Sequence, residues 1–348
     1  MTGVQLSHLA LYGMTCITAC DHSMPFSTGG YGAVGPFAGP PEMAQLTVGG
    51  ATSPVWTYDG KGIFYVRLQQ LTILPAAGGS AVWEGLELRA AVRSDSFSLF
   101  EAAAVDLNGR VLVVQAVAAK PRIGSALPFP VGYKATLWLS DTASHLSNRR
   151  NIGSLYSDSS GIPVVPSSQL NWLAQLTWTG GDSFLAVGQN LNPSGALRTL
   201  GLFRGVITAG ATNFTQLAGT QGVRRFGITG KGEYAIYSDT GLTIWRIAPG
   251  GGAPEVLATL PFESGRVIAD LSCRADLCVV LTLEGPPQFP GFPFARATIW
   301  KVLLETGAVS SLRQFDAPTP TALALSPVNG DLAILKNGQL WLSKGFLP

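Results

Sequence analysis

Histidine and cysteine, the residues that most often bind metals or act as nucleophiles, are scarce in this chain of 348 residues. It contains His8, His22 and His145, together with four cysteines. None of the cysteines has the spacing of a zinc or copper site, and the nucleophile motif G-x-S-x-G is absent. We therefore predict no metal site, no cofactor and no identifiable catalytic residue.

The aspartates that could carry out acid–base chemistry fall at predicted hairpin turns. They are Asp59, Asp106, Asp182, Asp276 and Asp331. Aspartate favours turns because its side chain accepts hydrogen bonds from the backbone two residues further on. A structural role at the turns is therefore favoured over paired acid–base catalysis.

Cys273 and Cys278 are separated by four residues, a spacing that places two cysteines opposite each other across a β-hairpin. We predict a disulfide between them, and such a bond persists only in an oxidising compartment. The alternative interpretation is a pair of buried thiols in a strand.

The composition indicates a β-structure rather than helices. The chain contains 42 Gly and 23 Pro, and charged residues make up only 13%, so long amphipathic helices are not expected. The net charge is only +2, and the only adjacent basic residues in the sequence are Arg149-Arg150 and Arg224-Arg225. Without a basic stripe to neutralise phosphates, the chain is not expected to bind nucleic acid.

A hairpin pattern recurs six times. Its turns lie at Asp59-Gly60, Asn108-Gly109, Gly180-Gly181, Gly230-Lys231-Gly232, Arg274-Ala275-Asp276 and Asn329-Gly330. Gly60 and Gly330 are 270 residues apart over five intervals, which gives about 54 residues per unit. Asn-Gly and Asp-Gly supply the positive φ that tight hairpins require.

A third and a fourth strand are predicted after each hairpin, except that the last unit lacks its fourth strand. The third-strand markers are Ile73, Trp138, Phe203, Trp245, Trp300 and Trp341, and the fourth-strand markers are Trp83, Leu155, Leu217, Leu257 and Leu312. We predict an all-β propeller of six four-stranded blades over residues 41–348, closed by an N-terminal strand (residues 43–48) that pairs with the last blade. The long interval from Gly109 to Gly181 leaves room for a degenerate seventh blade.

One family resemblance is visible in the first unit. Leu46-Thr47 followed by residues 53–65 (SPVWTYDGKGIFY) resembles the repeat of TolB-type, WD40-like six-bladed propellers, and Ser326-Pro327 keeps part of it in the last unit. The resemblance implies a periplasmic or cell-surface propeller of bacteria that commonly acts as a binding platform, and it implies no catalytic residue.

The N-terminal residues resemble a bacterial lipoprotein signal. Residues 9–20 form a short apolar stretch that ends in Ile17-Thr18-Ala19-Cys20, which resembles a lipobox. We expect residues 1–20 to be the signal peptide, Cys20 to carry the lipid and residues 21–40 to be a flexible tether. No Lys or Arg precedes the apolar stretch, and a plain secretory signal or an intracellular tail are the alternatives.

Four long connections are predicted to open on one face of the propeller, opposite the tight turns. They are residues 84–96, 120–134, 158–169 and 285–296, and the candidate contact residues in them are Phe129, Tyr133, Phe289, Phe292, Phe294 and Arg296. The alternative is that these aromatic residues fold back and plug the wide end of the propeller.

These observations favour a monomeric, lipid-anchored extracytoplasmic module that binds a protein, peptide or glycan without catalysis. The rival hypothesis is a hydrolase or lyase that acts on carbohydrate or peptide through carboxylates or Tyr at the central channel.

Overall fold

The structure is a computed structural model. It describes residues 34–37, 43–47, 51–57, 59–67, 70–77, 83–84, 96–106, 108–119, 133–140, 149–157, 170–191, 197–209, 211–230, 232–239, 241–285 and 294–347. Cys20, Phe129, Phe289 and Phe292 lie outside these residues. Within them there is no helix long and apolar enough to cross a membrane.

The described residues form 25 β-strands. The first fourteen are β1 (Val34–Phe37), β2 (Met43–Gln45), β3 (Ala51–Trp56), β4 (Gly62–Arg67), β5 (Gln70–Pro75), β6 (Trp83–Glu84), β7 (Ser96–Val105), β8 (Val111–Ala119), β9 (Tyr133–Ser140), β10 (Arg150–Ser157), β11 (Trp172–Gly180), β12 (Ser183–Leu191), β13 (Leu197–Thr208) and β14 (Ala211–Gln216). The others are β15 (Arg225–Ile228), β16 (Ala235–Ser238), β17 (Thr243–Ile247), β18 (Glu255–Thr259), β19 (Val267–Arg274), β20 (Leu277–Glu284), β21 (Arg296–Leu303), β22 (Val309–Asp316), β23 (Pro320–Leu325), β24 (Leu332–Lys336) and β25 (Gln339–Ser343).

The strands form six antiparallel sheets, which are the blades of a propeller. Blades one to five are β3–β6, β7–β10, β11–β14, β15–β18 and β19–β22, each in sequential order, and blade six contains β23, β24, β25, β2 and β1. The first strands of successive blades contact one another, and β23 contacts β3, so the ring is closed. The predicted six-bladed propeller is therefore confirmed. The described residues between Gly109 and Gly181 belong to blades two and three, with no seventh sheet among them.

The chain closes the ring with its N-terminal strand β2, which pairs antiparallel with β25. Leu46 N donates to Leu340 O at 2.7 Å, and the buried Thr47 Oγ1 accepts from Leu340 N at 2.9 Å. This pairing supplies the strand that the last repeat lacks.

Strand β1 was not expected, since it lies in the segment 21–40 that the sequence predicts to be a tether. It pairs with β2 and gives blade six a fifth strand. An edge strand offers unpaired backbone groups to any extended segment beside it, even one that contains Gly35 and Pro36. The structure thus has a strand at four residues of the predicted tether segment, and the tether itself stays a prediction.

The hydrophobic core lies between the blades. Trp56 of the first hairpin is buried, and its Nε1 donates to Ala324 O of blade six at 2.8 Å. Around it, Leu46, Ile63 and Tyr65 pack in one cluster with Leu340 and other residues of blade six. The repeat unit cannot bury its faces alone, so each blade depends on its neighbours.

In three blades the fourth strand carries an extra residue opposite a tryptophan of the third strand. The three pairs of tryptophan and extra residue are Trp138 with Ile152, Trp245 with Leu257, and Trp300 with Leu312. In blade three, where Phe203 replaces the tryptophan, the pairing with the fourth strand is regular. Such a β-bulge bends the outer strand and redirects its side chains.

Candidate functional site

The structure brings one of the predicted contact residues into a defined site. Arg296 is the first residue of β21 and lies directly opposite Glu284, the last residue of β20. Phe294, two residues before Arg296, is half-buried. Tyr133 is the first residue of β9, in a different blade. Among the described residues, Arg296 is therefore the one predicted contact residue that lies in this site, and the binding role of the six candidates stays a prediction.

Arg296 lines a depression of about 340 Å³ in blade five. The other lining residues are Glu263, Arg266, Glu284, Thr298, Trp300, Ser311, Leu312, Arg313 and Gln314. Glu263 and Arg266 come from the connection between β18 and β19, which crosses from blade four to blade five. The depression therefore opens on the face of the propeller that carries the crossings between blades and the connections between second and third strands. The tight hairpin turns lie on the opposite face.

Four charged side chains form a closed ring in this depression. Arg266 Nη2 lies 3.0 Å from Glu284 Oε1, and Arg296 Nε lies 2.5 Å from Glu284 Oε2. Arg266 Nη2 also lies 2.5 Å from Glu263 Oε2, while Arg296 Nη2 pairs with Glu263 Oε1. Each of the two carboxylates thus bridges the same two guanidinium groups. We call Glu263, Arg266, Glu284 and Arg296 the charge ring.

The two carboxylates of the charge ring differ in exposure. The side chain of Glu284 is 2% exposed, whereas that of Glu263 is 42% exposed. Glu284 Oε1 also accepts from Thr298 Oγ1 at 2.7 Å and from Thr282 Oγ1 at 3.3 Å. Glu284 is therefore the fixed inner carboxylate, and Glu263 is the outer one.

Glu284 remains ionised at neutral pH. Burial by itself raises the pKa of its carboxyl, but hydrogen bonds from Thr298 and Arg296 and the charges of Arg266 and Arg296 more than offset burial. The pKa of Glu284 consequently lies below its ordinary value. A carboxylate held in this way is a poor proton donor, so the ring favours recognition over general acid catalysis.

Aromatic and apolar side chains surround the charge ring. The guanidinium of Arg266 lies 5.1 Å from the ring centroid of Trp300, whose Nε1 donates to Thr282 Oγ1 at 2.9 Å. The bulged residue Leu312 is 37% exposed, and Phe262, next to Glu263 in the crossing, is 87% exposed. Two apolar side chains therefore face solvent beside a charged depression.

Gln314 of β22 completes the outer wall. With its amide oxygen turned toward Arg296, it accepts from Nε at 2.8 Å and from Nη1 at 3.2 Å. This orientation is assigned from the hydrogen bonds it satisfies. The guanidinium of Arg296 is thus held by partners on three sides.

Asp270 of β19, the first strand of blade five, is a buried carboxylate. Its oxygens accept from Leu271 N at 2.9 Å and from Leu323 N at 2.8 Å, and Arg225 Nε lies 3.5 Å away. Burial raises the pKa of Asp270, and the charge of Arg225 and the two backbone hydrogen bonds offset only part of that rise. With both oxygens bound to backbone, Asp270 links blades five and six rather than facing a substrate.

Cys273 and Cys278 are directly opposed residues of β19 and β20 and are joined by a disulfide. This bond lies at the turn end of the blade-five hairpin, away from the charge ring. Among the described residues, no group of three or more His, Cys, Asp or Glu side chains is arranged to hold a metal.

The turn aspartates have structural partners. Asp59 Oδ1 accepts from Lys61 N at 3.0 Å, and Asp106 Oδ1 accepts from Arg110 N at 2.7 Å. Arg110 also donates to Asp182 Oδ1 at 2.7 Å, which connects the turns of blades two and three. These carboxylates stabilise turns, as their positions in the sequence indicate.

Sequence reasoning missed Glu263, Arg266, Glu284 and Asp270. The sequence did contain one indication of the site. Only 13% of the residues are charged, yet four of them lie in or next to the two connections on one face of blade five, namely Glu263, Arg266, Glu284 and Arg296. The pairing between them follows only from the fold.

Comparison with known proteins gives the fold but no family. No protein-family model matches the chain, and no curated protein matches its sequence. The solved structure of U3-55K matches at 11% identity over 89% of this chain and 100% of that one, with a TM-score of 0.51. The WD40 repeats of RRP9 match at 9% identity over 86% of this chain and 96% of that one, with a TM-score of 0.50.

An enzyme is also among the similar structures. A gluconolactonase from Xanthomonas campestris matches at 11% identity over 86% of this chain and 88% of that one, with a TM-score of 0.51. The chain has a WD40-like β-propeller fold. At these identities the similarity establishes the fold alone, because one propeller fold hosts unrelated functions.

Proposed function

We propose that this chain is a TolB-type β-propeller that acts outside the cytoplasm as a non-enzymatic binding module for a protein, peptide or glycan. The observation that carries this proposal is the exposed Phe262, which precedes Glu263 of the charge ring in the chain, together with the exposed Leu312 in the wall of the depression. An exposed aromatic residue next to fixed polar groups is typical of a recognition surface.

The similar structures do not decide between binding and catalysis. One of them consists of the WD40 repeats of RRP9, and another is a gluconolactonase from Xanthomonas campestris. The fold therefore admits both binding and catalysis. The site favours binding, since Glu284 is fixed in its ionised form and both oxygens of Asp270 are bound to backbone N–H groups.

The proposed location depends on the N-terminal sequence and the cysteines. Residues 9–20 resemble a lipoprotein signal, and a disulfide such as Cys273–Cys278 persists in an oxidising compartment. We expect mass spectrometry of a membrane fraction to find a diacylglyceryl group on Cys20. Recovery of a peptide that begins at an intact Met1 would contradict the proposed anchor.

Binding can be tested with the purified chain on arrays of peptides and glycans. We expect Phe262→Ser to weaken retention of the best ligands by about tenfold or more, since burying a Phe side chain contributes ~1.5–3 kcal/mol. The matched control is Val328→Ser, because Val328 is 53% exposed but lies at the blade-six hairpin turn.

Two outcomes would contradict the proposal. One is equal retention by the Phe262→Ser variant and the unmodified chain. The other is turnover of an arrayed peptide or glycan by the purified chain, because it would favour an enzyme.

A further inference from the structure

The outer carboxylate of the charge ring occupies a position that a ligand could take. Glu263 and Glu284 both bridge Arg266 and Arg296, but only Glu284 is buried and held by threonine hydroxyls. Glu263 is held by the two guanidinium groups and belongs to a surface connection. Its carboxylate can therefore be replaced without disturbing the inner pair.

Both guanidinium groups have partners other than Glu263. Arg266 donates through Nε to Glu284 Oε1 at 3.1 Å and through Nη1 to Pro261 O, and it stacks on Trp300. Arg296 is held by Glu284 and Gln314. Two pre-oriented guanidinium groups form a site for a carboxylate, since the planar fork matches carboxylate geometry.

We propose that the depression in blade five binds a carboxylate of an extended peptide, and that Glu263 is an internal occupant which this carboxylate displaces. This inference rests on the proposed binding function and names its ligand class. The displaced Glu263 moves into solvent, and the ligand carboxylate takes over its pairing with Arg266 and Arg296.

A peptide is favoured over other carboxylates by the strand beside the depression. β22 contributes Ser311, Leu312, Arg313 and Gln314 to the wall and ends its sheet, so no described strand pairs with its outer edge. An extended peptide can add to such an edge through backbone hydrogen bonds and direct alternate side chains toward one face. Phe262 and Leu312 then contact the residues that flank the acidic one.

The test uses the full chain on arrays of amidated heptapeptides that have a central Glu or a central Gln and varied flanking residues. We expect binding to the Glu array and little to the Gln array. A third array has a central Gln and a free C-terminal carboxylate, and it shows whether the bound carboxylate belongs to a side chain or to the end of the peptide. Oligogalacturonate is measured in parallel to test whether a carboxylate of a glycan is bound instead.

Glu263→Gln is the decisive variant. It removes the competing charge and is expected to raise affinity for the Glu array by about tenfold, the factor that one charge-assisted hydrogen bond supplies. A gain in affinity cannot arise from misfolding. The matched control is Glu255→Gln, because Glu255 forms an exposed pair with Arg246 at 2.9 Å in blade four and is expected to leave binding unchanged.

Arg296→Gln is expected to abolish the preference for Glu over Gln, and Arg296→Lys to keep part of it. Equal binding to the Glu and Gln arrays, no gain with Glu263→Gln, no peptide binding at all, or a preference for oligogalacturonate would each overturn the inference. If binding still depends on Phe262 but ignores the central carboxylate, the inference fails while the proposed function stands.

Discussion

Half-buried and buried polar side chains on the first strands hydrogen-bond the backbone of the next blade. Gln175 of blade three donates to Phe226 O at 2.6 Å and accepts from Phe226 N at 3.2 Å in blade four. Ser272 Oγ of blade five accepts from Leu325 N of blade six at 3.0 Å. Asp270 makes the same kind of link. Polar residues near the channel thus fix the blades relative to one another, because a buried backbone group without a partner is costly.

The charge ring predicts a pH-dependent contribution to stability. The pKa of Glu284 is lowered in the folded protein, so its contribution is fully present above the ordinary glutamate pKa of about 4.3 and is lost as pH falls through the folded value. Glu284→Gln is expected to lower the free energy of unfolding by about 2 kcal/mol at pH 7. The difference from the unmodified chain should shrink toward zero below about pH 4.

Urea unfolding of both proteins between pH 3 and pH 7 measures this difference. Glu305→Gln serves as the control, since Glu305 is exposed in the turn between β21 and β22 and its replacement is expected to leave the free energy of unfolding nearly unchanged. A Glu284→Gln difference that stays constant with pH would show that the charge ring does not stabilise the fold.

At the level of single residues, the sequence predicted part of the site. Arg296 was a candidate because it ends a long connection, and the aspartates at turns were predicted to be structural. The partners of Arg296 were not predictable, since Glu284 and Glu263 are 12 and 33 residues away in the chain. The connection between β18 and β19 and the connection between β20 and β21 come together only in the folded protein.

Glycines in the strands of blade three make room for aromatic rings. Phe184 is fully buried and lies directly opposite Gly205, and a Cβ added at Gly205 would meet Phe184 Cζ at 2.2 Å. The Phe184 ring also makes edge contacts with Trp178 and Phe214, with centroids 6.2 and 6.0 Å away. The ring therefore has no free direction in which to move.

Gly205→Ala is expected to destabilise the protein by about 2 kcal/mol, because overpacking a dense core forces side chains off their preferred rotamers. Gly153→Ala in β10 is the matched control, since the nearest atom to its added Cβ is 3.9 Å away. That change should shift stability by no more than about 0.5 kcal/mol. Thermal unfolding of the two variants compares them directly, and equal midpoints would contradict this role of Phe184.

The elements themselves were largely predictable. All six hairpins occur at the predicted turns. In five of them the backbone has a positive φ, at a glycine in four turns and at Ala275 in the turn without glycine. The bulges at Ile152, Leu257 and Leu312 were not predictable. An extra residue in an outer strand hardly alters the alternating pattern, and its position depends on the partner strand.

The ring of blades is closed where strands from early and late parts of the chain pair with each other. β2 pairs with β25, and Met43 and Leu46 are buried against blade six. The sequence predicted this closure from the missing strand of the last repeat. It did not predict β1, because a segment reading Val-Gly-Pro-Phe has no alternating pattern.

Removal of residues 1–47 tests how much the closed ring contributes. The shortened chain loses the burial of Met43 and Leu46 and exposes the edge of β25, so we expect its free energy of unfolding to fall by at least about 3 kcal/mol. An exposed edge next to Leu340 and Leu342 should also pair between molecules and produce dimers or larger species. Denaturant unfolding and light scattering measure the two effects. Removal of residues 1–30 is the control, since it keeps β1 and β2 and should leave a monomer of unchanged stability. If the chain without residues 1–47 is also a monomer of unchanged stability, closure by β2 is not what holds the ring.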